Sequence, residues 1–258
     1  MRMRLMALGG LAAILLAGVL PASVSVVSAQ GAGATCRALP SAAQLRQWLV
    51  AAPALTGAPI GGTVGGLFNG ARMWAAVVNR AGEICAYVTS TDDPTQVWPG
   101  SQAIAKSKAY TANAFSLDDL ALSTAMLYTF TQPGHSLWSL GQGNPFNPDF
   151  LQAPDAQGSR NQIAGGEIFF GGGVPLYAGG QIIGGLGISG DTSCADHEIA
   201  KRVRHLAHMN PPGGPTVDDI VYAPPDPASV FAHPVCLNTW RNGVLIGNEQ
   251  PETYPHAP

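Results

Sequence analysis

Cys194-Ala195-Asp196-His197, followed by His205 and His208, is the densest run of metal-ligand chemistry in the chain. Thiolate and imidazole donors in short spacings are what zinc takes. Read as a helix, the run does not converge: His197 and His208 would stand about 16 Å apart at ~1.5 Å per residue. With Lys201, Arg202 and Arg204 interleaved, His205 and His208 read instead as a solvated basic face at a helix C-terminal end. Gly185-Leu186-Gly187-Ile188-Ser189-Gly190 matches the G-x-G-x-x-G turn that receives a dinucleotide pyrophosphate. That turn belongs to a parallel βαβ unit, and here a Gly179-Gly180 hairpin precedes it and no second strand with an acidic residue follows. Ser189 also lacks the spacing of a G-x-S-x-G nucleophile elbow. Covalent haem attachment needs C-x-x-C-H, which is absent from the sequence. A non-covalent haem would need an axial His, Tyr, Met or Cys in an apolar pocket, which makes His135, His197 and His233 the histidines to test.

The elements that must position these groups follow from periodicity and punctuation. Ser41-x-x-Gln44 is a capping box ahead of Leu45, Trp48 and Leu49 at helical spacing, so a helix is expected to end near Pro53. Residues 73–78 and 83–88 alternate around Asn79-Arg80-Ala81-Gly82 as a hairpin. Residues 101–115 read as a helix, and Ser116-x-x-Asp119 opens a second one to about Tyr128. Residues 132–162 carry four prolines and no period, a connection of the length that is usually functional or disordered. Strands are expected over 167–170, 174–178 and 181–188, divided by glycine runs, and a last helix from Ser193 to just before Pro211. Beyond it the chain reads as a Pro-rich extended tail, residues 211–258, clipped back by Cys236. Helices and antiparallel strands in this order make an α+β domain over residues 30–210.

Composition bounds the function. Of 258 residues, 32 are Gly and 21 Pro, about one fifth, below the roughly 25–30% that marks low complexity. With 46% hydrophobic residues, only 11% charged and a net charge of −3, the chain can bury a core and offers no basic patch for nucleic acid. Arg2, Arg4, the apolar run 5–20 and Val27-Ser28-Ala29 read as a signal peptide, residues 1–29, so the mature protein is expected to be periplasmic or secreted, with no stable membrane span. An uncleaved anchor is the other reading of that segment. All four cysteines, Cys36, Cys85, Cys194 and Cys236, lie in the exported part, where an even number favours disulfides. Three pairings are possible; spacing suggests Cys36 with Cys85 and Cys194 with Cys236.

Two stretches carry a resemblance. One comprises residues 73–82, Trp98-Pro99-Gly100-Ser101 and residues 105–115, including Lys108-Ala109-Tyr110-Thr111-Ala112; the other comprises residues 170–177 and 184–200, from Gly184-Gly185 to Asp196-His197-Glu198. Over residues 36–208 the chain resembles the GlcG/HbpS family of haem-binding proteins, related to the C-terminal domain of PduO, in a longer exported branch. The resemblance implies a profilin-like α/β/α arrangement with a five-stranded antiparallel sheet flanked by helices. It also implies assembly into homo-oligomers and binding of haem or a related tetrapyrrole, in some members with a role in sensing or handling haem; the chain is read here as a protein that binds haem or another flat anionic ligand rather than as an enzyme. PduO-like members ligate iron from a His on the first helix, and residues 41–52 here contain none. If the pocket lies where the family suggests, Lys108, Thr111, Ser189 and His197 border it. Lys108 would meet a propionate, and the Ser189–Asp196 turn would offer N–H groups to an anion. His197, neutral near a helix N-terminus, would then be the iron ligand. The rival readings are a periplasmic enzyme or accessory factor for a small carboxylate, using that turn and Lys108, and a structural scaffold.

Overall fold

The computed structural model describes residues 35–150 and 152–249; the signal peptide expected over residues 1–29 lies outside them. Helix α1 (Ala42–Ala51) begins with the capping box, Ser41 and Gln44 each bonding the other's backbone N–H, and buries Leu45 and Leu49. Strands β1 (Trp74–Asn79) and β2 (Ile84–Thr89) form the hairpin, and helix α2 is Ser101–Phe115. The short helix α3 (Leu140–Gly143) interrupts the long connection, and strands β3 (Gly173–Ala178) and β4 (Gln181–Ser189) lead into helix α4 (Ser193–Leu206). The sheet order is β2-β1-β4-β3, all antiparallel.

Period-two alternation divides the core between two layers. Trp74, Ala76 and Val78 of β1 pack with Ala105 and Ala109 of α2. Ala75 and Val77, on the other face, pack with Leu45 and Leu49 of α1 and Ile199 and Val203 of α4. The result is the α/β/α layering that the resemblance implies. Gly185 and Gly187 of β4 face α2, where an added Cβ would collide with the Ala109 and Ala105 carbonyl oxygens respectively. The glycine spacing that mimics a nucleotide turn therefore serves the close approach of helix to sheet.

Several expectations are corrected. The main sheet has four strands, not five, and a separate two-stranded sheet is made by β5 (Thr239–Arg241) and β6 (Val244–Gly247). Residues 167–170 form no strand because side chains take up their backbone groups: Ile168 N–H donates to Thr111 Oγ1 at 2.9 Å, and Thr124 Oγ1 donates to the Phe170 carbonyl at 2.6 Å. The helix expected from Ser116 is replaced by a turn closed on Ser116 Oγ, which accepts from Leu122 N–H, followed by 3-10 turns at Thr124–Leu127 and Thr129–Thr131. The chain after Met209 is not merely extended. It folds back over α4, buries Ile220 and Tyr222, and is joined to α4 by Cys194–Cys236; the second bridge is Cys36–Cys85.

That return overturns part of the solvated basic face: His208 is exposed and His205 half-buried, but the cationic side chains beside them are not solvated. Lys201, Arg202 and Arg204 are fully buried. Lys201 meets Glu198 and Asp219, each at 2.7 Å, and Arg204 grips Asp218 two-pronged at 2.6 and 2.7 Å. Arg202 donates to the carbonyls of Ala52, Pro53 and Thr63. Helical pattern alone cannot show such a cover, because the carboxylates arrive from a distant segment.

Candidate functional site

The turn from Ser189 into α4 is a concentrated polar site, but it is closed upon itself. Asp191 N–H donates to Asp196 Oδ1 at 2.9 Å, Ala195 N–H to the capping Thr192 Oγ1 at 3.3 Å, and Cys194 N–H to Cys236 Sγ at 3.2 Å. Asp191 in turn accepts from the N–H groups of Leu67 and Phe68. The protein's own side chains thus occupy the places an anion would take. Asp196 also holds Lys108 Nζ at 2.7 Å, with the Ile188 carbonyl at 3.0 Å and the Phe170 ring centroid 4.9 Å away. Burial pushes both members of this pair toward their uncharged forms, Lys108 down and Asp196 up to about 6, each opposed by its partner's charge.

The four residues singled out by sequence do not share a cavity. Thr111 is buried between the Ser107 carbonyl, to which it donates, and Ile168 N–H, from which it accepts. Ser189 is buried at the end of β4, opposite Trp74. Lys108 lies behind Phe170. His197 is on the other side, enclosed by the return segment with Nε2 3.6 Å from Asp219 Oδ1 and neither ring nitrogen hydrogen-bonded. Burial, helped by the Lys201 charge, lowers His197 to about 3, so it is neutral.

Among the described residues a shallow cleft of about 440 Å³ lies beside α1, between Arg46, Val88 and Gln157, and two further clefts adjoin each other near the first turn of α4. One, of about 370 Å³, has Tyr128, Trp138, Leu140, Glu167, Phe169 and Phe170 in its wall. The other, of about 340 Å³, has Tyr128, Phe170, Ser193, His233, Cys236 and Glu249. They meet at Tyr128 and Phe170. Both are in the range of ligand sites, roughly 300–1,000 Å³. His233 forms a tilted contact with Tyr128, ring centroids 5.0 Å apart. Its Nδ1 lies 2.7 Å from the Pro234 carbonyl, which can only accept, so Nδ1 carries the proton; Nε2 then accepts from Gly171 N–H at 3.2 Å. Burial, with the Lys108 charge adding, lowers His233 to about 4. In the first cleft burial raises the Glu167 carboxyl, whose Oε2 has no hydrogen-bond partner.

Of these wall residues, the sequence offered only His233, as one of three histidines capable of ligating iron. Tyr128 and Trp138 carried no signal beyond their aromaticity, and Phe170 entered only as part of the stretch that carries the resemblance, since turns and the long connection bring them together.

The chain is thus an α/β/α protein with a four-stranded antiparallel sheet and an aromatic-walled cleft beside it. The profile described as haem degrading protein HbpS-like matches residues 67–204, more than half of the chain, and the chain belongs to the HbpS-like family. Among solved structures it is similar to the Klebsiella pneumoniae protein ORFY, at 22% identity over 67% of this chain and 90% of that one, with a TM-score of 0.45. It is also similar to the PduOC:heme complex, at 24% identity over 63% and 88% with a TM-score of 0.42. For HbpS the identity is 20% over 69% and 92%, with a TM-score of 0.44. A search of curated proteins finds no match.

Proposed function

We propose that this chain is an exported haem-binding protein, periplasmic or secreted, that holds haem or a related tetrapyrrole non-covalently along the seam of the two clefts. The observation that carries the reading is the meeting of both clefts at Tyr128 and Phe170, with His233 beside Tyr128. Family membership supports the ligand class, and two disulfides support an oxidising compartment. The wall fits the group. Trp138, Leu140, Phe169 and Phe170 supply apolar surface for a flat ring, and Tyr128 and His233 are of the types that ligate haem iron. Among the described residues nothing takes up the Tyr128 hydroxyl. Neither cleft has Lys or Arg in its wall, so the propionates would face solvent.

His197 is a weaker ligand in this reading, since reaching it requires lifting the return segment from α4. The small-carboxylate reading is disfavoured for a similar reason, because Lys108 and the turn are already paired inside the protein. Homo-oligomeric assembly remains part of the proposal and is read by light scattering.

Hemin titration of the purified protein tests it. One equivalent should give a Soret shift, and Tyr128→Phe should weaken binding about tenfold or more, ~1.4 kcal/mol per tenfold. His197→Ala should leave the band unchanged. Absence of a shift at stoichiometric hemin sinks the proposal, and a band lost only in His197→Ala would move the ligand to the enclosed side. Bleaching of the bound band under a reductant and oxygen would report the degradation in the family's description.

A further inference from the structure

The Cys194–Cys236 bridge differs from Cys36–Cys85 in its surroundings. Among the described residues, Cys194, Cys236 and His233 form a group of three metal-ligating side chains whose donor atoms lie within 4.8 Å of one another, all buried, at the edge of the 340 Å³ cleft. We propose that in its dithiol form the protein binds one zinc ion through Cys194 Sγ, Cys236 Sγ and His233 Nε2, with the fourth position open to the cleft.

Three features of the site support this. The first is the imidazole tautomer: the Nδ1–H bond to the Pro234 carbonyl orients the ring, the outer bond that metal-bound histidines use, and puts the lone pair on Nε2, which would exchange its 3.2 Å bond from Gly171 N–H for the metal. Nε2 is only 3.4 Å from Ser193 Oγ, which is itself 3.3 Å from Cys236 Sγ. The second is thiolate stabilisation. Cys194 is in the first turn of α4, and its N–H already donates to Cys236 Sγ at 3.2 Å, an arrangement that favours a deprotonated sulfur. The third is access, since Ser193, His233, Cys236 and Glu249 all line the open cleft. Two sulfurs and one imidazole with a fourth place for water or a carboxylate is a known tetrahedral zinc set, with sulfurs about 3.7 Å apart for Zn–S bonds of ~2.3 Å. The sulfurs need only part after the bond between them is cleaved.

The chemistry balances as follows. A dithiol reductant attacks the bridge, passes through a mixed disulfide, and leaves as a cyclic disulfide after delivering two electrons and two protons to Cys194 and Cys236. Zinc then displaces both thiol protons to solvent. Oxidation by a disulfide-forming oxidant removes the two electrons and releases the metal. The site shares His233 and the cleft wall with the haem reading but does not use Tyr128, so Tyr128→Phe should weaken hemin while leaving zinc binding intact, which separates the two.

The test uses the full chain, reduced with a phosphine, desalted without oxygen, and titrated with Co(II) as a spectroscopic probe and then Zn(II) against a chromophoric chelator. The reduced chain should take one equivalent, with thiolate-to-cobalt charge transfer and tetrahedral d–d bands, and the oxidised chain none. His233→Ala should weaken zinc binding tenfold or more, Cys194→Ser/Cys236→Ser should abolish it, and Cys36→Ser/Cys85→Ser should keep one equivalent. Near-UV circular dichroism, which reports the buried Trp74, monitors the fold in each state. No binding by the folded reduced chain overturns the proposal. So does binding that survives Cys194→Ser/Cys236→Ser, or metal taken up only by a chain that reduction has unfolded.

Discussion

His197 and His233 are both buried and both pushed to low proton affinity, yet their surroundings are opposite. His233 has each ring nitrogen engaged, one donating and one accepting, and forms part of an open wall. His197 has neither engaged and is shut beneath a segment that brings Asp218 and Asp219 onto α4. The first turn of α4 thus leads in two directions, one face toward a cleft and the other into an ion-paired seam. Proximity in sequence to the glycine-rich turn favours His197 as the functional histidine; three-dimensional access favours His233.

The comparison breaks most directly at the closed end. Arg204→Ala leaves Asp218 buried without its cation and should cost about 3–5 kcal/mol in urea unfolding. A loss under about 1 kcal/mol would mean that the seam is not the structural half of the pair.

Acid should act next. His197 is held at about 3 in the fold, against an ordinary value of 6.5. Between those values the unfolded chain binds the proton and the folded one does not. Stability from this group is therefore full above about pH 6.5 and falls as pH drops toward 3, by up to about 1.4 kcal/mol per pH unit. The difference in urea midpoint between the wild type and His197→Asn, followed from pH 7 to 5, isolates the effect. A difference that does not change with pH would place a charged His197 in the native state.

Smaller effects mark the cap and the cleft. Thr192→Ala removes the side-chain acceptor for Ala195 N–H at the start of α4 and should cost ~1 kcal/mol in thermal unfolding. Tyr128→Phe, on the open side, should change stability by no more than about 0.5 kcal/mol while weakening hemin as described above. If it destabilised the fold by as much as Arg204→Ala, the distinction between a binding wall and a structural seam would fail.

Much of the fold was legible. The capping box at Ser41 and Gln44, the alternation on either side of residues 79–82 and the helix start at Ser193 are local patterns, and each marks an element where it forms. The failures share one cause. Residues 167–170 have strand composition but give their backbone bonds to Thr111 and Thr124, and the residues after Ser116 have helix-start chemistry but close a turn instead. Lys201, Arg202 and Arg204 have the spacing of an exposed face and are buried by carboxylates and carbonyls from outside the helix. In every case a partner distant in sequence overrides a local preference.

The order of helices and strands, the glycines at 185 and 187, the even number of cysteines and the family can all be read along the chain. Which histidine faces a cleft, and that Lys108 and the Ser189–Asp196 turn are satisfied internally, follow from the folded arrangement. So does the covering of α4 by the C-terminal segment. The physical reason is that periodicity records which side of an element is apolar, whereas access and charge pairing depend on what arrives from elsewhere to cover the other side.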